Sequence, residues 1–222
     1  MTTTLETNPS LDVLVVEDED FQRLVLTDSL AANGLNVVAG AANAQTAMKL
    51  FYLHRPDVVT LDIDLGEGPT GIDIAYAMRE KDPKLAIVML TVIPDPRLLR
   101  PNLRTVPPNV VYLEKSSIGA QEAILNGIQE AIELSRNPDT KRSLRSNGNQ
   151  KKIPLTDTQI ELMRLIALGL SNAEISKRRF TTVKSTENSI ARLAKILHFE
   201  HDETINQRVQ IARTYFNLLR GR

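Results

Sequence analysis

The sequence predicts an α/β protein: a doubly wound, parallel, five-stranded sheet followed by a small all-α domain. Three observations carry this expectation. Five short, near-continuously apolar runs recur in the first 135 residues, as in strands buried on both faces of a parallel sheet. Stretches of helical period separate them. From Leu155 onward the period is helical throughout.

The strands are expected at 11–16, 35–39, 58–63, 85–90 and 110–113, and the helices near 20–33, 43–54, 70–81, 95–104 and 117–134. Asn43 fits an N-cap, and Gly34 ends the first helix in a left-handed turn. Pro94, Pro96 and Pro101 confine the fourth helix to a turn or two. Residues 136–154 hold six basic residues and too few apolar ones for a core, so they read as a flexible basic linker. Beyond it, Thr156-x-x-Gln159 and Ser171-x-x-Glu174 fit the capping box. Gly169 closes the first helix of this region, and further helices are expected near 182–197 and 202–219. The expected domains are therefore 1–135, the linker 136–154, and 155–222.

Composition narrows the class. The 222 residues are 42% hydrophobic, which excludes a disordered chain. With no Cys there is no disulfide scaffold and no Cys zinc site, and the three His, at 54, 198 and 201, are scattered. No apolar run approaches the roughly 20 residues of a membrane span. The first residues lack the basic and apolar segments of a secretory signal, so a cytoplasmic protein is expected. The net charge of zero conceals a split: residues 1–135 hold 10 Lys+Arg against 19 Asp+Glu, and residues 136–222 hold 17 against 8. Two modules with different partners are implied, the basic one meeting a polyanion.

Ligands of open α/β sheets bind at the carboxyl ends of the strands. There the sequence places Glu17 and Asp18, Asp62, Thr91 and Lys115. Clustered carboxylates repel unless a cation compensates, and hard oxygen ligands suit Mg²⁺. An aspartate at such a site can attack phosphorus and form an acyl phosphate, which a hydroxyl and an ammonium would stabilise. The runs Val15-Val16-Glu17-Asp18, Thr60-Leu61-Asp62, Met89-Leu90-Thr91 and Tyr112-Leu113-Glu114-Lys115 resemble the receiver domain of two-component response regulators, over residues 11 to about 134. The resemblance implies a flavodoxin-like fold, Asp62 as phosphoacceptor, and Glu17, Asp18 and Asp62 as metal ligands. It also implies that Thr91 and Lys115 contact the phosphoryl group and that Tyr112 is a switch aromatic that turns inward. Val92 after the threonine, Asp64 near the acceptor, Ser116 after the lysine and the Gly-rich loop 65–71 depart from the family pattern.

Winding residues 183–197 at about 100° per residue puts Val183, Thr186, Ile190, Leu193, Ala194 and Leu197 on one arc. Lys184, Asn188, Ala191, Arg192 and Lys195 fall on the other. Such a face offers cations to phosphates and an amide to base edges in double-stranded DNA. A helix at 172–179, a short turn and this helix have helix-turn-helix spacing. Gly169-Leu170-Ser171-Asn172-Ala173-Glu174-Ile175 resembles the LuxR-type DNA-binding domain, with Glu187 standing where that family often has a lysine. Thr181 and Thr182 could offer hydroxyls to a phosphate. A receiver joined to this domain is the NarL/FixJ architecture. It implies a DNA-binding regulator, phosphorylated by a histidine kinase, homodimeric when active, and not an enzyme beyond its own phosphoryl transfer and dephosphorylation. Two rivals are a regulator whose receiver is a phosphorylation-independent docking or dimer module, and a haloacid-dehalogenase-type phosphatase built on Asp62-x-Asp64.

Overall fold

The computed structural model describes residues 10–93, 95–100, 103–115, 121–137, 154–199 and 206–219. They fall into two compact units: one runs to Thr91 and resumes over Arg104–Gln150, and the other comprises Val92–Leu103 and Lys151–Arg222. Most of the expected linker, residues 138–153, lies outside the described residues.

In the first unit, β1 (Asp12–Val16), β2 (Asn36–Ala41), β3 (Val58–Leu61), β4 (Ala86–Thr91) and β5 (Val111–Glu114) form one sheet in the order β2-β1-β3-β4-β5. Every pairing is parallel. Successive strand residues point to opposite faces, and both faces are covered, so β3 and β4 are buried along their whole length. Beneath one face lie α1 (Asp20–Ala32) and α4 (Gln121–Arg136), which share a core with Val13, Val15, Val88 and Leu113. α2 (Ala44–His54) and α3 (Gly71–Lys81) complete the unit. Asn43 caps α2 by accepting from the Thr46 N–H at 2.9 Å, and Gly34, just past α1, has φ 82°.

The order of connection reverses between β1 and β3, which opens a crevice at their carboxyl ends. Register makes that crevice specific. Val16 pairs with Leu61, so Glu17 and Asp62 emerge side by side; Thr91 pairs with Glu114, so Lys115 follows one residue later. α3 starts hard against this edge. A Cβ on Gly71 would lie 2.0 Å from the Asp62 carbonyl oxygen, so only glycine lets the helix begin there. Gly71→Ala should cost about 1–3 kcal/mol through a forced backbone shift, read as a lower urea midpoint. An unchanged midpoint would mean that the contact relaxes freely.

The fourth helix, expected near 95–104 and confined by its prolines to a turn or two, is as short as that. Among the described residues it is one 3-10 turn, Pro96–Leu98. Pro96 suits a first helical position, but a proline at 101 lacks the N–H and clashes with the carbonyl four residues back. Pro94 and Pro101 themselves lie outside the described residues. This segment belongs with the second unit: Ile93 and Leu98 are buried in the same apolar core as Met163, Ile175 and Leu193. The Arg97 guanidinium reaches Asp95 at 2.6 Å and donates to Asp157 and the Leu155 carbonyl, both at 2.9 Å.

The second unit is otherwise α5 (Asp157–Ala167), α6 (Asn172–Arg178), α7 (Val183–Ile196) and α8 (Gln207–Leu219). The first part of the last expected helix, 202–205, lies outside the described residues. Thr156 and Gln159 form a full capping box; Ser171 accepts from the Glu174 N–H at 3.2 Å, one half of one. The Tyr215 hydroxyl donates to the Leu98 carbonyl at 2.7 Å. Tyr215→Phe should cost about 1 kcal/mol, visible as a lower denaturation midpoint; no change would mean that this bond holds nothing.

Candidate functional site

The strand ends bring the expected residues of the first unit together. Asp62 and Glu17 are buried, at 7% and 2% exposure, and Thr91 is fully buried at the end of β4. The Lys115 ammonium sits between the two acids: Nζ lies 2.5 Å from Glu17 Oε2 and 2.6 Å from Asp62 Oδ2. Glu17, Asp18 and Asp62 each bring one carboxylate oxygen within 4.8 Å of the others. Asp18 is exposed, which leaves an open side to this all-oxygen donor set, the chemistry that Mg²⁺ prefers.

Electrostatics follow from burial. Loss of solvent pushes the Asp62 carboxyl above its ordinary range, with the Lys115 charge opposing. Glu17 is raised for the same reason. Burial alone would lower Lys115, but the charges and hydrogen bonds of Asp62 and Glu17 outweigh it and hold the ammonium above its usual range. The two carboxylates therefore depend on a cation, and in this arrangement Lys115 supplies it.

Some contributors lie outside the strand-end pattern. The Gln22 amide oxygen accepts from Lys115 Nζ at 2.8 Å, and Arg23 Nη1 donates to the Glu17 carbonyl at 2.7 Å. Both sit on the first turns of α1, where spacing from Asp18 was the one available signal. The Asp64 N–H donates to Asp62 Oδ1 at 3.2 Å, and Asp64 Oδ1 accepts from the Gly66 N–H at 3.3 Å, so Asp64 anchors the Gly-rich loop. Tyr112 is buried, at 1% exposure. Val92 is 44% exposed, and Ser116 lies outside the described residues.

The second unit separates α7 largely as its periodicity predicts. Thr186, Ile190, Leu193 and Ala194 are buried and Leu197 is half-buried, while Lys184, Asn188, Ala191, Arg192 and Lys195 are exposed. Val183, expected on the packed arc, is 43% exposed, because the first turn projects beyond the core. Thr182 caps α7: its side-chain oxygen accepts from the Ser185 N–H at 3.1 Å. Glu187 stands 3.6 Å from the Lys184 ammonium.

A buried carboxylate at the switch point of a 2-1-3-4-5 sheet, with the lysine that follows the last strand upon it, defines a receiver-type fold. Residues 13–101 match the response regulator receiver domain family. The chemotaxis protein CheY of Bacillus subtilis is 35% identical over 81 residues, which cover 36% of this chain and 67% of CheY. This chain belongs to the response regulators. The DNA-binding transcriptional activator DevR/DosR of Mycobacterium tuberculosis is 29% identical over 201 residues, covering 85% of this chain and 88% of that protein. RcsB of Salmonella enterica serovar Typhimurium, solved bound to a promoter with the phosphomimetic BeF₃⁻, matches with a TM-score of 0.52 at 18% identity, over 93% of this chain and 99% of that one. That likeness carries the fold of both units. No helix among the described residues is long and apolar enough to cross a membrane.

Proposed function

We propose that this protein is a DNA-binding transcription regulator of a two-component system, switched by phosphorylation of Asp62. The single observation that carries the reading is the buried Asp62 carboxylate beside Glu17, bridged by Lys115 at 2.6 and 2.5 Å. Asp62 Oδ attacks the phosphorus of a phosphohistidine, and the bond from phosphorus to the imidazole nitrogen breaks. Glu17, Asp18 and Asp62 would hold Mg²⁺, which neutralises phosphoryl oxygens when bound. Lys115 and Thr91 then face the new phosphoryl group. A histidine kinase is the donor, double-stranded DNA the target of the second unit, and a homodimer the active form. The charge split supports two partners: the acidic first part suits a cation site, and the basic second part a polyanion.

The test uses the full chain. Mg²⁺ and a small acyl-phosphate donor should label it with one acid-stable, base-labile phosphoryl group. DNA-site selection should then recover one preferred sequence, and phosphorylation should change its occupancy. Steady hydrolysis of a phosphate ester would instead favour a phosphatase. Selective DNA binding without any labelling would favour a phosphorylation-independent docking module.

A further inference from the structure

The turn between α6 and α7 holds a side chain that folding does not explain. α6 ends at Arg178, and the Phe180 N–H donates to the Lys177 carbonyl at 3.2 Å while the Thr181 N–H donates to that of Ser176 at 2.9 Å. This is a Schellman closure with Phe180 in the left-handed position, φ 50°. A residue with a Cβ is strained there, and glycine is the ordinary occupant. The same closure holds glycine after α1 and α5, Gly34 and Gly169 at φ 82° and 78°, and His198 after α7 at φ 56°. Yet Phe180 is 98% exposed, so its ring contributes no burial to offset the strain. Both terms favour glycine in the free protein.

The surroundings identify a partner. Lys177, Arg178, Thr181, Thr182 and Lys184, neighbours of Phe180 in sequence, are all exposed, with Arg178 and Lys184 beside Glu174 and Glu187; Phe180 stands two residues before the N-cap of α7. A cationic surround suits a polyanion and opposes a purely apolar protein surface. The first residues of a recognition helix meet base edges in the major groove, and the apolar group exposed there is the thymine C5-methyl.

We infer that Phe180 is a specificity-determining residue that packs on a thymine methyl at the edge of the DNA half-site. The inference rests on reading the second unit as DNA-binding. Phe180 is kept at a cost to the free fold because its contact is made only in the complex.

The test compares full-length wild type and Phe180→Gly on the wild-type selected DNA and on copies in which each thymine in turn is replaced by uracil, which lacks only the methyl group. For wild type, one such replacement should weaken binding about fourfold, the worth of one buried carbon. Phe180→Gly should bind the thymine DNA more weakly and lose sensitivity to that replacement. It should also melt about 2–4 °C higher, since it relieves the strained turn. A Phe180→Gly protein that binds and discriminates like wild type overturns the inference and assigns the ring to another surface. An equal loss on thymine and uracil DNA also overturns it. If wild type itself binds no DNA selectively, the reading of the second unit fails first, and this inference with it.

Discussion

Asp62→Asn should reduce Mg²⁺-dependent labelling by a small acyl-phosphate donor to background. The substitution keeps shape and hydrogen-bond reach but removes the anionic oxygen that we propose attacks phosphorus. The fold should survive it. Burial disfavours the ionised Asp62, so losing the charge relieves a desolvation cost. Lys115 keeps Glu17 at 2.5 Å and Gln22 at 2.8 Å. Mg²⁺ should raise the melting temperature of wild type, and the same variant should lose most of that rise, because one of the three carboxylates that could hold the ion is gone. Lys115→Ala is the contrasting case. It leaves the nucleophile but removes the cation that both buried acids face, and should slow labelling about a hundredfold, the usual loss when one preorganised charge partner is deleted. Any phosphoryl group that does form should then fail to change DNA occupancy. Equal labelling of Asp62→Asn and wild type would move the acceptor elsewhere, with Asp64 the first residue to test.

The strands were legible because burial on both faces leaves a local trace, an unbroken apolar run that needs no partner to be read. The placement of the candidate residues was legible for a related reason. In a parallel sheet the crevice is lined by residues at the carboxyl ends of the strands, so finding the strands finds Glu17, Asp62, Thr91 and Lys115. Gln22 and Arg23 escaped this logic. They reach the site from the outer turns of α1, and a Gln or Arg in a first helical turn looks the same whether it faces solvent or a lysine. The segment after β4 was illegible for another reason. Its prolines announce that a helix fails, but nothing local says that Ile93 and Leu98 join the core that holds Met163. That is a long-range packing choice. A fragment that starts at residue 155 therefore lacks two buried side chains of its own unit, and comparisons of DNA binding belong on the full chain. Val183 shows the limit of the helical wheel, which gives a face its direction and not where the core ends along the axis.

Replacing Lys184, Arg192 and Lys195 together by alanine should lower DNA affinity on the order of a hundredfold near physiological salt. Each cation that neutralises a phosphate contributes about 0.9 to the slope of log affinity against log salt, so the triple variant should lose nearly three units of slope. The three residues are exposed on α7 opposite the buried Thr186, Ile190 and Leu193, so their removal should leave the melting temperature within a few degrees. The single variants should not be equal. Lys184 stands 3.6 Å from Glu187, and both are exposed. In the free protein that pair is worth little, because water screens it. Against a phosphate backbone the balance changes, since alanine at 184 removes an attraction and also leaves the Glu187 carboxylate facing an anion without its neighbour. Lys184→Ala should therefore weaken binding more than Arg192→Ala or Lys195→Ala. Adding Glu187→Gln to Lys184→Ala should recover part of the loss, while the same change in an Arg192→Ala background should do less. Titrations of one selected DNA at three salt concentrations separate these cases. If all three single alanine variants bind like wild type with an unchanged salt slope, α7 does not lie on DNA. If the losses are equal and Glu187→Gln recovers nothing, Glu187 faces away from the backbone and Lys184 acts alone.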